Sequence, residues 1–297
     1  MTNPFDMYDG VKHEEENGLK KTTATRKFDE NALRRAEELY DSIKSKVPRK
    51  DGLYGYAGLN DYISVSENAP VAILAKLLGK DDDAREIYLG IKGQIGKQYN
   101  GLYNESIMPD IPMGGRGPST KGNALMGILS LMHGDVEEAE KIYNLVNKDI
   151  GKSGDLYGSD SFSRGSWSDN THDNALMGTF VKMLGKDVEA NKIFDEIDSM
   201  MRMPLGLYGH TVRSEIIYTE DNASMAIFCD VLGNYVYSEE IYSKFESVAG
   251  KDNGLYLSME KGAYMLPRTD GERSLCSQPS ALVGIYLCLR AGKKLQP

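Results

Sequence analysis

A chain of 297 residues with a formal net charge of −9 and an isoelectric point near 5.1 lacks the basic face that nucleic-acid binding requires. No stretch reaches the roughly twenty uncharged residues of a membrane span, and the start MTNPFDMYDG has no basic-then-apolar signal pattern. A soluble, cytoplasmic protein is expected, with Cys229, Cys276 and Cys288 as reduced thiols rather than a disulfide framework.

Residues 1–29 carry mixed charge and little apolar periodicity, and read as an N-terminal arm; residues 30–297 read as one domain. From there the chain alternates two kinds of helix. The first kind has an apolar frame at relative positions 0, 3, 4, 7 and 11, beginning with Ala36/Leu39/Tyr40/Ile43/Val47 and recurring from Ala84, Ala139, Ala190 and Ser238. Each frame runs into a Leu-Tyr turn, at Leu53, Leu102, Leu156, Leu207 and Leu255, which sets a repeat of about fifty residues. The second kind follows each turn, from Asn68, Asn123, Asn174, Asn222 and Ser280, and is apolar nearly all round.

A helix with one apolar stripe covers a core from outside, whereas a helix without a polar face is buried on all sides. The framed helices therefore form an outer layer and the Asn-Ala helices an inner one. Gly79, Gly134, Gly185 and Gly233 end the inner helices in the left-handed conformation, and Asp81, Asp135 and Asp187 stand where the next outer helix needs a cap. Short inner-to-outer turns and long outer-to-inner loops make every inner helix point the same way. The expected fold is all-α, an α/α toroid of five to six helical hairpins with long loops on one face, closed by pairing of the last helix with the first.

That face gathers the inner-helix N-termini, which read VSENA, TKGNA, THDNA, TEDNA and SQPSA. Thr120, Thr171, Thr219 and Ser277 sit three residues before the Asn or Ser and read as N-caps, and the recurring Asn as a bond to the neighbouring loop. The residues between them differ from repeat to repeat, which simple capping does not require. Glu67, Gly122, Asp173, Asp221 and Pro279 share one position; Lys121, His172, Glu220 and Gln278 share the one before. Carboxylates converging on one confined site push a pKa upward and separate an acid from a base. The catalytic candidates are Asp173, Asp221 and Glu220, with His172 and His210.

The loops add Trp167, an aromatic platform suited to a sugar ring, and Arg116, Arg164, Arg213 and Arg273, which with Glu67 and Tyr218 complete the candidate substrate-binding set. Arginines beside five helix N-termini favour an anionic or carboxylated sugar derivative. No phosphate-cradling or dinucleotide motif and no zinc spacing is present, so neither cofactor nor metal is expected.

The repeat length, the alternation of buried and amphipathic helices, and motifs such as TEDNA and THDNALMG together resemble the six-hairpin glycosidase superfamily, in particular N-acylglucosamine 2-epimerases and unsaturated glucuronyl hydrolases. The resemblance implies a sugar in the axial cavity. By position it implies carboxylate chemistry at Asp173, Glu220 and Asp221 for hydrolysis, or a proton exchange between His172 and His210 for epimerisation. A non-catalytic ligand-binding or scaffold toroid is the third expectation, since regular repeats also suit that role.

Overall fold

The computed structural model describes residues 8–16, 19–26, 28–56, 59–98, 101–107, 117–160, 170–212, 214, 217–249, 251–252, 255–256, 259–260 and 277–296. Within them lie helices α1 Glu30–Lys46, α2 Val65–Leu77, α3 Asp81–Gly90, α4 Thr120–Met132 and α5 Val136–Leu145. They are followed by α6 Thr171–Met183, α7 Asp187–Met201, α8 Thr219–Val231, α9 Tyr235–Val248 and α10 Ser277–Arg290. Single π-helical turns, Ile91–Ile95 and Val146–Ile150, prolong α3 and α5.

The two layers follow from the apolar patterns. On α1 the buried residues are Ala32, Ala36, Leu39, Tyr40 and Ile43, one stripe, while on α2 every residue but Lys76 is buried. The helices α2, α4, α6, α8 and α10 pack in that order and α10 returns to α2, so the inner ring closes. Each carries an outer partner: α3 on α2, α5 on α4, α7 on α6, α9 on α8, and α1 on α10. Direct contact between α10 and α2 leaves no place for a further inner helix, so the described ring holds five hairpins, the last made from the first and last helices of the chain.

Small residues set the ring's tightness. A Cβ on Gly127 would lie 2.2 Å from the Phe180 ring, one on Gly178 2.2 Å from the Phe228 ring, and one on Gly284 2.7 Å from Leu74. Each glycine therefore admits a large side chain from the next inner helix around the ring. Tight interdigitation of this kind is what a close-packed interior demands.

Closure is held by polar contacts between chain ends. Arg35 on α1 meets Glu246 on α9 at 2.7 Å, and Arg290 on α10 reaches both Asp29 at 3.2 Å and Glu239 at 3.3 Å. The buried Glu239 also accepts the Tyr286 hydroxyl at 2.9 Å.

Around the outside, tyrosines tie neighbouring helices through acidic partners: Tyr40 donates to Asp83 at 2.5 Å, Tyr103 to Glu138 at 3.0 Å and Tyr143 to Glu189 at 2.6 Å. Ahead of the ring, Tyr8–Glu16 and Leu19–Arg26 pair as an antiparallel hairpin, the second strand beside α9.

At the inner-to-outer turns the glycines have the expected left-handed backbone, with φ of +73° at Gly79, +78° at Gly134, +75° at Gly185 and +86° at Gly233. The aspartates there need correction. Only Asp135 caps its helix, accepting from Glu138 N at 3.2 Å. Asp81 and Asp187 are the first helical residues instead, and pair with Lys76 at 2.5 Å and Lys182 at 2.8 Å. No helix of the described residues is long and apolar enough to cross a membrane.

Candidate active site at the inner-helix N-termini

One element of this face is constant. The Asn68 side-chain amide accepts from Tyr54 N at 2.7 Å and donates to Tyr54 O and Ser64 O, both at 2.9 Å. Asn123 makes the same clamp on Tyr103, Asn174 on Tyr157 and Asn222 on Tyr208. In the fifth repeat Ser280 Oγ accepts from Tyr256 N at 2.8 Å. A buried amide that satisfies both backbone groups of a turn fixes that turn against the helix.

The helices begin one residue earlier than the sequence suggests. Ser64, Ser119 and Asn170 are the N-caps, accepting from Glu67 N, Gly122 N and Asp173 N, and Tyr218 holds the cap position of α8 without a side-chain bond. Thr120 and Thr171 are therefore first-turn residues, and their hydroxyls donate to the Gly158 and Gly209 carbonyls of the following repeat's turn. Their backbone N–H groups donate to Ser159 O and His210 O, both at 2.9 Å, as Val65 N does to Glu105 O at 2.8 Å. The helices α2, α4 and α6 are thus stitched to the turn of the next repeat, and the turn delivers the side chain of its fourth residue to the next helix start.

That delivery builds the differentiated part of the face. His210, on the turn beginning at Leu207, places Nδ1 3.1 Å from Asp221 Oδ2. Asp221 Oδ1 also accepts His172 N at 3.1 Å, so the two histidines flank one carboxylate. The His172 ring crosses the inner side of α8, with Nδ1 2.8 Å from Ser224 Oγ and Nε2 2.7 Å from the Gln278 amide. With Gln278 donating to Nε2, the ring proton sits on Nδ1. Glu67 lies under α10, where it accepts from Ser277 N at 2.8 Å, Ser277 Oγ at 2.8 Å and Gln278 N at 3.1 Å. It caps that helix across 210 residues of sequence.

Tyr218 sets its ring edge-on to His210, centroids 4.9 Å apart. Glu220 and Lys121 are half-buried, in contrast to His172, Asp173 and Asp221, which are buried. Trp167, Arg116, Arg164, Arg213 and Arg273 lie outside the described residues, as does Cys276; Cys229 and Cys288 are buried free thiols.

The electrostatics separate these groups. Burial raises the Asp173 carboxyl to about 6, against the pull of Lys121 and the hydrogen bonds from Asn170 and Ser159. Burial also raises Asp221, opposed by His210, and raises Glu67 against its Ser277 and Gln278 donors. The Asp221 bond raises His210 above its ordinary value, while burial and then Lys121 drive His172 well below it, so His172 stays neutral. Lys121 is raised despite burial, because Glu105, Asp173, Glu220 and Glu67 all act on it.

Two of these residues were not among the candidates. Lys121 was visible only as one of the varied residues. Glu105 had a signal that went unread: the fourth residue of the Leu-Tyr turn is Tyr56, Glu105, Ser159, His210 or Ser258, as varied as the helix starts themselves. Among the described residues, no cluster of three or more metal-ligating side chains occurs.

No family model and no curated protein matches the sequence. Solved structures do match the fold. The endo-β-1,4-glucanase CMCax from Acetobacter xylinum superposes with a TM-score of 0.60 at 10% identity over 89% of this chain and 99% of its own. A family 76 α-mannanase from Bacteroides thetaiotaomicron gives 0.57 at 11% identity over 88% and 95%. A glycosidase variant in complex with glucose gives 0.52 at 11% over 91% and 100%. The fold shared with these structures is an α/α toroid, closed here by five hairpins among the described residues.

Proposed function

We propose that the protein is a glycoside hydrolase acting on a sugar chain at the face formed by the N-termini of α2, α4, α6, α8 and α10. The observation that carries this reading is Asp173, a buried carboxyl pushed up to about 6, which shares the charged neighbours Lys121 and His210 with a half-buried second carboxylate, Glu220. A general acid must hold a proton near the working pH and a general base must not. In this reading Asp173 protonates the glycosidic oxygen, and Glu220, nearer solvent, activates water or attacks the sugar, the carboxylate separation in the complex deciding between inversion and retention. Asp221 is closed in by His172 N–H and His210, and supports the pair by holding His210.

Exchange of protons between His172 and His210 is the less favoured chemistry. Both ring nitrogens of His172 are occupied, by Ser224 and Gln278, and its ring is neutral. The glycosidases that share the fold act, by their names, on β-1,4-glucan and α-mannan, and one holds glucose, which makes neutral glucans and mannans the first substrates to try.

The test is reducing-sugar release from soluble β-glucans, α-mannan and uronic-acid polysaccharides by wild type, Asp173→Asn and Glu220→Gln. Turnover of at least one polymer by wild type, lost in both variants while circular dichroism stays unchanged, supports the reading. A wild type inert to all three classes, or an Asp173→Asn variant with full turnover, overturns it.

A further inference from the structure

The second repeat, like the fifth with Pro279, lacks a carboxylate at one station, and it supplies one from elsewhere. Where α2, α6 and α8 carry Glu67, Asp173 and Asp221, α4 carries Gly122. A Cβ there would lie 2.6 Å from Glu105 Oε2 and 3.0 Å from Ser119 Oγ. The space of the missing side chain is thus filled by a carboxylate arriving on the turn. Glu105 is buried, its backbone oxygen bound by Val65 N at 2.8 Å and its N–H by Gly117 O at 3.1 Å. Its carboxylate accepts the hydroxyls of Ser66 and Ser119, the latter being the cap of α4.

Beside Gly122 stands Lys121, at the station whose counterparts His172 and Gln278 meet at 2.7 Å on the inner side of the ring. It is the one lysine among Ser66, Lys121, His172, Glu220 and Gln278. We propose that Glu105 and Lys121 are opposed positioning residues for Asp173. Lys121 draws the proton off the Asp173 carboxyl, and Glu105, seated in the gap left by Gly122, restrains Lys121 and returns negative charge to the same space.

The charged groups facing Asp173 are few enough for the effect to be read. Lys121 and Glu105 face it from α4 and its turn and His210 from the turn before α8, neutral His172 lies on its own helix, and Glu220 and Asp221 on α8 act on Lys121 and His210. Glu67, from α2, acts on Lys121. The start of α4 is joined to Asp173 by a short chain of contacts: Thr120 N, next to Lys121, donates to Ser159 O at 2.9 Å, Ser159 Oγ accepts from the Asn170 amide at 2.8 Å, and Asn170 caps Asp173 N at 2.7 Å.

The inference deepens the hydrolase reading, yet its test does not depend on turnover. The Asp173 carboxyl carbon is followed by NMR titration in the full chain, assigned by its loss in Asp173→Asn. Removing Lys121 as Lys121→Met should raise the Asp173 midpoint by about one pH unit, and Glu105→Gln should lower it by about half a unit or more. Gly122→Ala, which displaces the Glu105 carboxylate without removing its charge, should move the midpoint in the Glu105→Gln direction. Lys121→Arg, which keeps the charge and serves if Lys121→Met does not fold, should restore the wild-type midpoint to within about 0.3 unit. Shifts of the same sign in Lys121→Met and Glu105→Gln, or a Lys121→Arg midpoint displaced as far as Lys121→Met, overturn the proposal. Opposed shifts in a protein that cleaves no polysaccharide uphold it and remove the hydrolase reading alone.

Discussion

The two ends of the inner helices are built from the same repeat and have diverged to different degrees. At the C-terminal end, every repeat closes with a left-handed glycine, at Gly79, Gly134, Gly185, Gly233 and Gly292, and the first four pass directly into an outer helix. At the N-terminal end, the Asn or Ser clamp on the turn is just as regular, but the two residues before it and the fourth residue of the turn vary between repeats. The comparison separates two demands on one backbone. Positions that make a ring of hairpins are repeated, because each hairpin poses the same packing problem. Positions that vary within an otherwise fixed frame are free of that problem, and here they include the titratable residues of the face.

The sharpest way to break the comparison is to treat a differentiated residue as structural. Asp173→Asn is expected to reduce polysaccharide turnover by about 10²- to 10⁴-fold without loss of stability. A fall in stability with turnover intact would assign Asp173 to capping instead.

The repeated positions should behave in reverse. Asn222→Ala removes a buried amide with three backbone bonds, to Tyr208 N, Tyr208 O and Tyr218 O, and is expected to cost about 2–4 kcal/mol in urea unfolding. Ser280→Ala, which removes one such bond, should cost about 1 kcal/mol.

Asp173 also makes a pH prediction whose sign is set by its raised pKa. Between the unfolded value near 3.9 and the folded value of about 6, the folded state holds the proton that the unfolded state has lost. This group's contribution to stability therefore falls as pH rises through that window, by about 3 kcal/mol in all. Asp173→Asn removes the fall, so the variant should melt above wild type at pH 8 and close to it at pH 4. The smallest effect belongs to the far end: Gly185→Ala, at φ +75°, should cost about 1 kcal/mol and leave turnover alone.

Much of this architecture was legible because its determinants are local and repeated. The stripe Ala84/Ile87/Tyr88/Ile91/Ile95 is buried as the frame implies, and so is nearly every residue of the Asn-Ala helices. What stayed hidden depends on contacts distant in sequence. The helices start one residue early because Ser64, Ser119 and Asn170 take the cap one position ahead of the repeated Thr, while Thr120 N and Thr171 N find acceptors in the next repeat's turn, a contact distant in sequence. Glu67 looked like a site carboxylate and is engaged as the cap of a helix 210 residues away. Glu105 stands on the turn rather than at a helix start, so the pattern of helix starts does not reveal it. The number of hairpins also waited for the structure, since only the α10–α2 contact shows that five close the ring.

The central claim is that sugar is bound and cleaved where the inner helices begin. Its most direct test is NMR mapping of carboxyl and tyrosine resonances as a gluco- or manno-oligosaccharide is added to the Asp173→Asn protein. The account expects the largest changes at Glu220 and Tyr218, with Asp221 and Glu105 next. Changes confined to the cleft of Lys152, Lys186 and Glu189 at the start of α7, or none from either sugar at millimolar concentration, would contradict it.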